Sequence, residues 1–290
     1  MRVLTYRISP ACAGFSVREY ARKVLGLSSG FLTEQRQIPG GIQVDGQNAR
    51  TVDVLAPDDL LSFYLPDEEM PYPAEPIPLT VVFEDEDFLV IDKPAGMPVH
   101  PSPGHDRDSL LNAVVSYYRQ TGQSHLFRPL YRLDRDTSGI LVVAKHRAAA
   151  CAARAEKIYY AFCEGVLEGA GTIDLPIGLK PGSKIIRECG CGETAITHWQ
   201  SMWTEDDYSL LALRLETGRT HQIRAHLSHI GHPLAGDDLY GGSLEKISRQ
   251  ALHCGSAKLS CKVLPNLGTL ELTAGLPKDI AEAFPRIKGL

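Results

Sequence analysis

The sequence predicts an α+β protein built in two units. Three observations carry this. Predicted strands and helices do not alternate regularly, as a doubly wound parallel sheet would require. A proline-rich acidic stretch divides the chain near residue 70. The 290 residues are 43% hydrophobic and 22% charged, enough to bury a sizeable core and too apolar for a disordered chain.

The dividing stretch is residues 66–78, with five prolines and four acids in thirteen residues. Proline fixes φ and removes backbone donors, so no helix interior or central strand fits here. The reading is a small domain over 1–70, a linker over 71–78 and a larger domain over 79–290. Few contacts are expected to cross the boundary, so the larger domain is expected to stay soluble alone.

In the first unit Ser16 caps a helix whose apolar positions Val17, Tyr20, Ala21, Val24 and Leu25 keep helical spacing, stopped by Gly26. A second helix is read over residues 31–38. Ile42 and Val44 alternate before Asp45-Gly46, a tight-turn pair, and Leu60, Leu61, Phe63 and Leu65 form a last strand.

In the larger unit, strands are predicted over Thr80–Phe83 and Phe88–Ile91 around an acidic turn. Ser109–Gln120 reads as a helix with Leu110, Leu111, Val114, Val115 and Tyr118 inward. Gly139–Ala144 is a buried strand, and the Ala-rich run Arg147–Glu156 reads as a helix. Tyr159–Val166, Thr194–Met202 and Leu210–Leu215 are strands, Thr220–Ile230 is a helix, and Leu270–Thr273 is a late strand.

Several classes are disfavoured. No apolar run approaches the roughly 20 residues of a membrane span. The N-terminus lacks the apolar segment of a secretion signal, and seven scattered cysteines suit a reducing compartment, so the cytosol is expected. A net charge of −5 argues against nucleic-acid binding by the whole surface but leaves room for a local basic cleft.

Three motif matches do not survive their context. Gly26-Leu27-Ser28-Ser29-Gly30 fits a nucleophile elbow, which needs a strand before it, and here a helix precedes it. Gly190-Cys191-Gly192-Glu193-Thr194-Ala195 fits a dinucleotide fingerprint, but a β-prone run follows where a helix belongs. His221, His226, His229 and His232 fall within twelve residues, near Cys189 and Cys191, yet their spacing matches no standard zinc module. No metal site is assigned.

Two segments concentrate charge beside apolar strands. In Tyr131-Arg132-Leu133-Asp134-Arg135-Asp136-Thr137-Ser138-Gly139, a charged turn runs into a buried strand. A carboxylate there is held rigidly at a sheet end; the alternative is a charged turn capped by Asp136 or Ser138. Spacing alone does not choose between Asp134 and Asp136. In Thr217-Gly218-Arg219-Thr220-His221-Gln222-Ile223-Arg224, basic residues open a helix where the dipole favours acids. Such a local violation often marks a site; the alternative is a pair of solubilising surface charges.

Together these two segments resemble the RluA-type pseudouridine synthases. Asp92-Lys93-Pro94-Ala95-Gly96-Met97-Pro98-Val99-His100-Pro101, Lys157-Ile158-Tyr159-Tyr160-Ala161, and Gly231-His232-Pro233-Leu234-Ala235-Gly236-Asp237 with Tyr240-Gly241 resemble three more of the family's motifs. The five occur in family order over residues 79–275. The first unit is similar, more weakly, to the small-subunit-ribosomal-protein-like RNA-binding domain that often precedes this catalytic domain. Tyr131 stands where the family usually has histidine.

The resemblance implies a mixed, largely antiparallel central sheet flanked by helices, preceded by a small α/β RNA-binding domain. It implies isomerisation of specific uridines in structured RNA to pseudouridine, in large-subunit ribosomal RNA first and transfer RNA second, by a monomer in need of no cofactor and no obligatory protein partner. It assigns Asp134 as the catalytic aspartate, Arg219 as its ion-pair partner and Tyr159 as the tyrosine that stacks on the base. Arg132 fills the space the flipped base vacates. Arg135, Arg224 and His221 complete the RNA-binding set, with Arg128 and Lys145 as further phosphate contacts. A catalytically silent RNA-binding or ribosome-assembly protein and a metal-dependent hydrolase are the competing readings; the retained Asp134, Tyr159 and Arg219 argue against the former.

Overall fold

The computed structural model describes residues 1–205 and 207–286; the last four residues of the expected larger domain lie outside the described residues. The chain opens with strand β1 (Arg2–Arg7). Helix α1 (Val17–Glu19) starts at a capping box in which the Glu19 N–H donates to Ser16 Oγ and the Ser16 N–H to Glu19 Oε2. The helix then widens into a π-helical turn over Tyr20–Val24. Ser28 caps α2 (Ser29–Gln35), and β2 (Ile42–Val44), β3 (Gln47–Asn48) and β4 (Leu60–Leu65) follow. Asp45 and Gly46, with φ of 49° and 76°, form the left-handed turn expected between β2 and β3. The four strands make an antiparallel sheet in the order β1-β4-β2-β3.

The second sheet uses β5 (Thr80–Glu84) and β6 (Phe88–Lys93), then, after α3 (Leu110–Gln120), β7 (Arg128–Pro129) and β8 (Ser138–Ala144). Next come α4 (Arg147–Ala152), β9 (Ala153–Glu164), β10 (Ala170–Asp174) and a small hairpin of β11 (Ile177–Leu179) and β12 (Arg187–Cys189). β13 (Ile196–Glu205), β14 (Tyr208–Leu215), α5 (Gln222–His229), β15 (Leu252–Cys261), β16 (Thr269–Thr273) and α6 (Lys278–Ala283) complete it. The strand order is β10-β13-β14-β9-β15-β8-β6-β5, with β16 on β15 and β7 on β8. This is the α+β, largely antiparallel sheet the sequence predicts.

One contact joins the two antiparallel halves of that sheet. β8 and β15 run parallel over His253↔Ser138 and Cys254↔Gly139. Gly139 permits it: its φ is +113°, and a Cβ there would lie 2.2 Å from the Cys254 carbonyl oxygen. The charged turn before β8 and the tyrosine-bearing stretch of β9 meet at this seam.

One local reading gives way to long-range pairing, and two strands carry no local signal. The Ala-rich helix ends at Ala152, and Ala153–Glu156 instead pairs with β15, from Ala153↔Cys261 to Glu156↔Lys258. Pairing with β15 outweighs helix propensity, which is worth only tenths of a kcal/mol per residue, roughly. β15 itself, Leu-His-Cys-Gly-Ser-Ala-Lys-Leu-Ser-Cys, has no strong apolar pattern and was not predicted, although it lies at the centre of the sheet. β1 was likewise not predicted.

The proline-rich stretch is packed rather than free. Met70, Ala74 and Ile77 lie against the core, the Asn112 side chain donates to the Pro73 carbonyl (3.0 Å), and the Glu68 N–H donates to Ser124 O (3.1 Å). One apolar core runs through both sheets. Across the boundary the Tyr6 hydroxyl donates to Val263 O (2.8 Å), and Arg2 grips Asp87 through two bonds of 2.9 and 3.0 Å. The expectation of few crossing contacts does not hold.

Candidate active site

The turn Arg132–Thr137 is fixed from below by two cations. Buried Lys93 donates to the carbonyls of Pro94 (2.7 Å), Met97 (2.8 Å) and Arg135 (3.0 Å). Burial pulls its pKa down to about 7, against the pull of Asp136 and Asp134. Arg249 donates to the Asp136 carbonyl (3.0 Å) while its other nitrogens hold Asp279. The Thr137 N–H closes the turn on Asp134 O (3.1 Å).

This anchoring separates the two carboxylates. Asp136 is turned to the Arg135 guanidinium, 2.8 Å from Nη2. Asp134 faces a pocket lined by Arg132, Tyr159, Arg219, His221 and Arg224 among others. Tyr159 sits on β9 between Leu213 of β14 and Cys254 of β15. Burial drives its hydroxyl pKa well up, and Cys254 and Asp134 push the same way, so it remains a neutral phenol.

The cation beside Asp134 is Arg224. Its Nη1 lies 3.5 Å from Asp134 Oδ2, and its Nε and Nη2 make bonds of 2.6 and 2.7 Å to fully buried Asp237. The bidentate grip fixes the guanidinium plane, so one edge is left for Asp134. Burial works against the charge, but Asp237 and Asp134 outweigh it and the arginine stays protonated. His221 faces the same oxygen, with Nε2 at 4.0 Å.

Three expectations are corrected here. Arg219 does not pair with Asp134: its Nη1 lies 2.5 Å from Glu193 and its Nε donates to Thr194 O. Arg224, expected among the RNA-binding residues, is instead buried between the carboxylates of Asp134 and Asp237. Arg128 is held by Glu68 at 2.6 Å, and buried Lys145 by Glu84 and the Asp85 carbonyl, both at 2.6 Å, so neither faces a phosphate. His221, expected in the RNA-binding set, lines the pocket and faces Asp134 and Tyr240. Arg132 lies exposed at the pocket rim, and Arg135 is exposed but engaged with Asp136.

The reading of single residues missed Lys93, Arg249, Asp237 and Tyr240. Lys93, Asp237 and Tyr240 do lie inside the family-like segments; Arg249 carries no local signal. Gln222 was also overlooked. Its amide accepts from Thr217 Oγ1 and the Arg219 N–H and donates to Ile196 O, tying the Thr217–Arg219 turn to β13.

The histidine cluster does not converge. His226 is buried between Thr197 and the Leu175 carbonyl, His232 meets Glu164 O, and His229 is exposed. Among the described residues no group of three His, Cys, Asp or Glu is placed to hold a metal ion. A cavity of about 580 Å³ between the first unit and residues 84–86 has paired charges in its lining, among them Arg2–Glu86 and Lys145–Glu84, and lies apart from this site.

An aspartate beside a buried arginine, in a pocket walled by a buried tyrosine and rimmed by exposed arginines, is the arrangement of a site for an anionic polymer. Comparison with known proteins narrows the class. Residues 87–229 match the RNA pseudouridylate synthase family. The uncharacterized RNA pseudouridine synthase YjbO of Bacillus subtilis is 40% identical over 278 residues, covering 92% of this chain and 97% of its own. A ribosomal large subunit pseudouridine synthase D of Haemophilus ducreyi is 36% identical over 244 residues, 77% of this chain and 74% of its own. Among solved structures, human RNA pseudouridylate synthase domain containing 1 superposes with a TM-score of 0.55 at 26% identity, covering 70% of this chain and 85% of its own. The chain belongs to the RluA-type RNA pseudouridine synthases and is an enzyme that isomerises uridine in RNA.

Proposed function

We propose that this enzyme converts uridine to pseudouridine in large-subunit ribosomal RNA, working as a single chain in the cytosol, with Asp134 as its catalytic carboxylate. The observation that carries the reading is Asp134 itself: a carboxylate presented to a tyrosine-walled pocket, 3.5 Å from a guanidinium that a second carboxylate has already oriented. The substrate class is supported by relatives whose names specify the ribosomal large subunit. Among the described residues no helix is long and apolar enough to cross a membrane.

The reaction breaks the bond between ribose and uracil N1, turns the base and rejoins it through C5, from which a proton leaves. A carboxylate oriented beside Arg224 is suited to stabilise or capture positive charge on the ribose. Tyr159, a neutral phenol at the pocket wall, is placed to stack on the extruded base. Extrusion costs about a few kcal/mol. Arg132 at the rim is suited to stack where the base left. In the first unit, Arg18, Arg22 and Arg36 are exposed on and beside α1 and α2, which supports its use as an accessory RNA grip.

The test is pseudouridine mapping of total RNA with and without the gene, with purified protein on ribosomal and transfer RNA transcripts alongside. Loss of one or more large-subunit sites, restored by the protein in vitro, is expected. Loss confined to transfer RNA overturns the substrate assignment.

A further inference from the structure

Tyr240 lies behind the site and touches both side chains that face Asp134, His221 and Arg224. It is buried, and its hydroxyl oxygen accepts the Arg187 backbone N–H at 2.9 Å. The same oxygen lies 2.9 Å from His221 Nδ1. A buried phenol that already accepts from a peptide group satisfies its own proton by donating it, and Nδ1 is the acceptor on hand. An imidazole that accepts at Nδ1 carries its proton on Nε2, the nitrogen 4.0 Å from Asp134 Oδ2. The face of the Tyr240 ring meanwhile backs Arg224, whose Cζ stands 4.8 Å from the ring centroid.

The backbone supports the same reading. His221 has φ +58°, a left-handed conformation that only glycine adopts freely. Such strain persists where surrounding contacts over-determine it, and it gathers at functional sites. Glycine or asparagine would relieve it, at the loss of the imidazole.

We propose that Tyr240 is a positioning residue for the isomerisation: its hydroxyl holds His221 as the Nε2–H tautomer and its ring holds Arg224, so that both aim donors at Oδ2 of Asp134. Oδ1 is then left to face the ribose. This rests on the assignment of Asp134 as the catalytic carboxylate. At 4.0 Å the imidazole acts on the free enzyme through its field, and the contact shortens to a hydrogen bond when RNA fills the pocket. Burial lowers the His221 pKa; Asp134 and Asp237 oppose this, and Arg224 and Arg187 reinforce it. The relay therefore runs from the β12 backbone to the catalytic oxygen through two side chains.

The experiment has two parts. In the intact RNA-free protein, nitrogen-15 NMR at pH 7, with the His221 signal assigned by its loss in His221→Gln, is expected to show a neutral ring protonated at Nε2. A ring protonated at Nδ1, or doubly protonated, overturns the proposal. Turnover is then compared for wild type, Tyr240→Phe and Asp134→Asn on one RNA. Tyr240→Phe keeps the ring but not the hydroxyl, so kcat is expected to fall about tenfold with KM for RNA within about twofold. Its acidic limb should move to higher pH, because His221 no longer has a donor opposing protonation at Nδ1. A Phe variant with wild-type kcat and pH profile overturns the relay. If that variant does not fold, the wild-type NMR decides. An Asp134→Asn protein that still turns over overturns the underlying assignment and not the tautomer.

Discussion

Arg224 stands 3.5 Å from Asp134, whereas Arg219, in the same motif, is turned away to Glu193. The two arginines therefore answer differently to the same substitution. Arg224→Lys replaces a fork shared between Asp237 and Asp134 with a point charge, and activity is expected to fall by about 10²-fold. Arg219 and Glu193 form a partly exposed pair worth about 0–1 kcal/mol, so Arg219→Lys should keep activity within about fivefold. Single-turnover assays of the two variants check this; the reverse order would return Arg219 to the role the sequence suggested.

The turn offers two aspartates, and the structure presents one to the pocket. Asp134→Asn is expected to lower isomerisation by about 10⁴-fold or more while RNA still binds. Asp136→Asn loses only the bonds to exposed Arg135 and should remain active. Binding by filter retention, run beside tritium release from labelled RNA, separates the two effects. An inactive Asp136→Asn beside an active Asp134→Asn would exchange the assignments.

Docking of the first unit is expected to weaken in acid. Burial pushes the Asp87 pKa up, but bonds from His146 and Arg2 outweigh it and hold the group below its usual value. A carboxylate lowered on folding contributes stability that is complete above its unfolded pKa, about 3.9, and is lost as pH falls through the folded value. Asp87→Asn should therefore cost about 1–3 kcal/mol at pH 7. The gap from wild type should narrow below about pH 4. Urea unfolding of both proteins at the two pH values reads it out; a gap that widens in acid contradicts the sign.

A fragment lacking residues 1–65 is expected to aggregate. Its loss uncovers the apolar face that the shared core now spans, together with the Val263 carbonyl that Tyr6 caps. Size-exclusion chromatography and thermal melting of residues 66–290 test this. A monomeric fragment with a sharp melt would show that the interface is dispensable, as the proline-rich boundary suggests from sequence.

What the chain's order of residues determined by itself is local or carried in contiguous strings. Ser16 and Ser109 open helices because their hydroxyls reach a backbone N–H three residues on. Asp45-Gly46 turns because those two residues tolerate positive φ. The ordered motifs around Asp134, Tyr159 and Arg219–Arg224 were enough to name the chemistry. What only the tertiary structure decided involves partners far apart in the chain. Arg224 reaches Asp134 across 90 positions, while Glu193 withdraws Arg219. Lys93 grips the carbonyl of Arg135, and β15 turns an alanine-rich helix signal into the start of β9. Propensity and spacing act over a few residues. The identity of an ion-pair partner depends instead on which carboxylates the packed sheet brings within a few ångströms, and on which of them each guanidinium, once buried, can least do without.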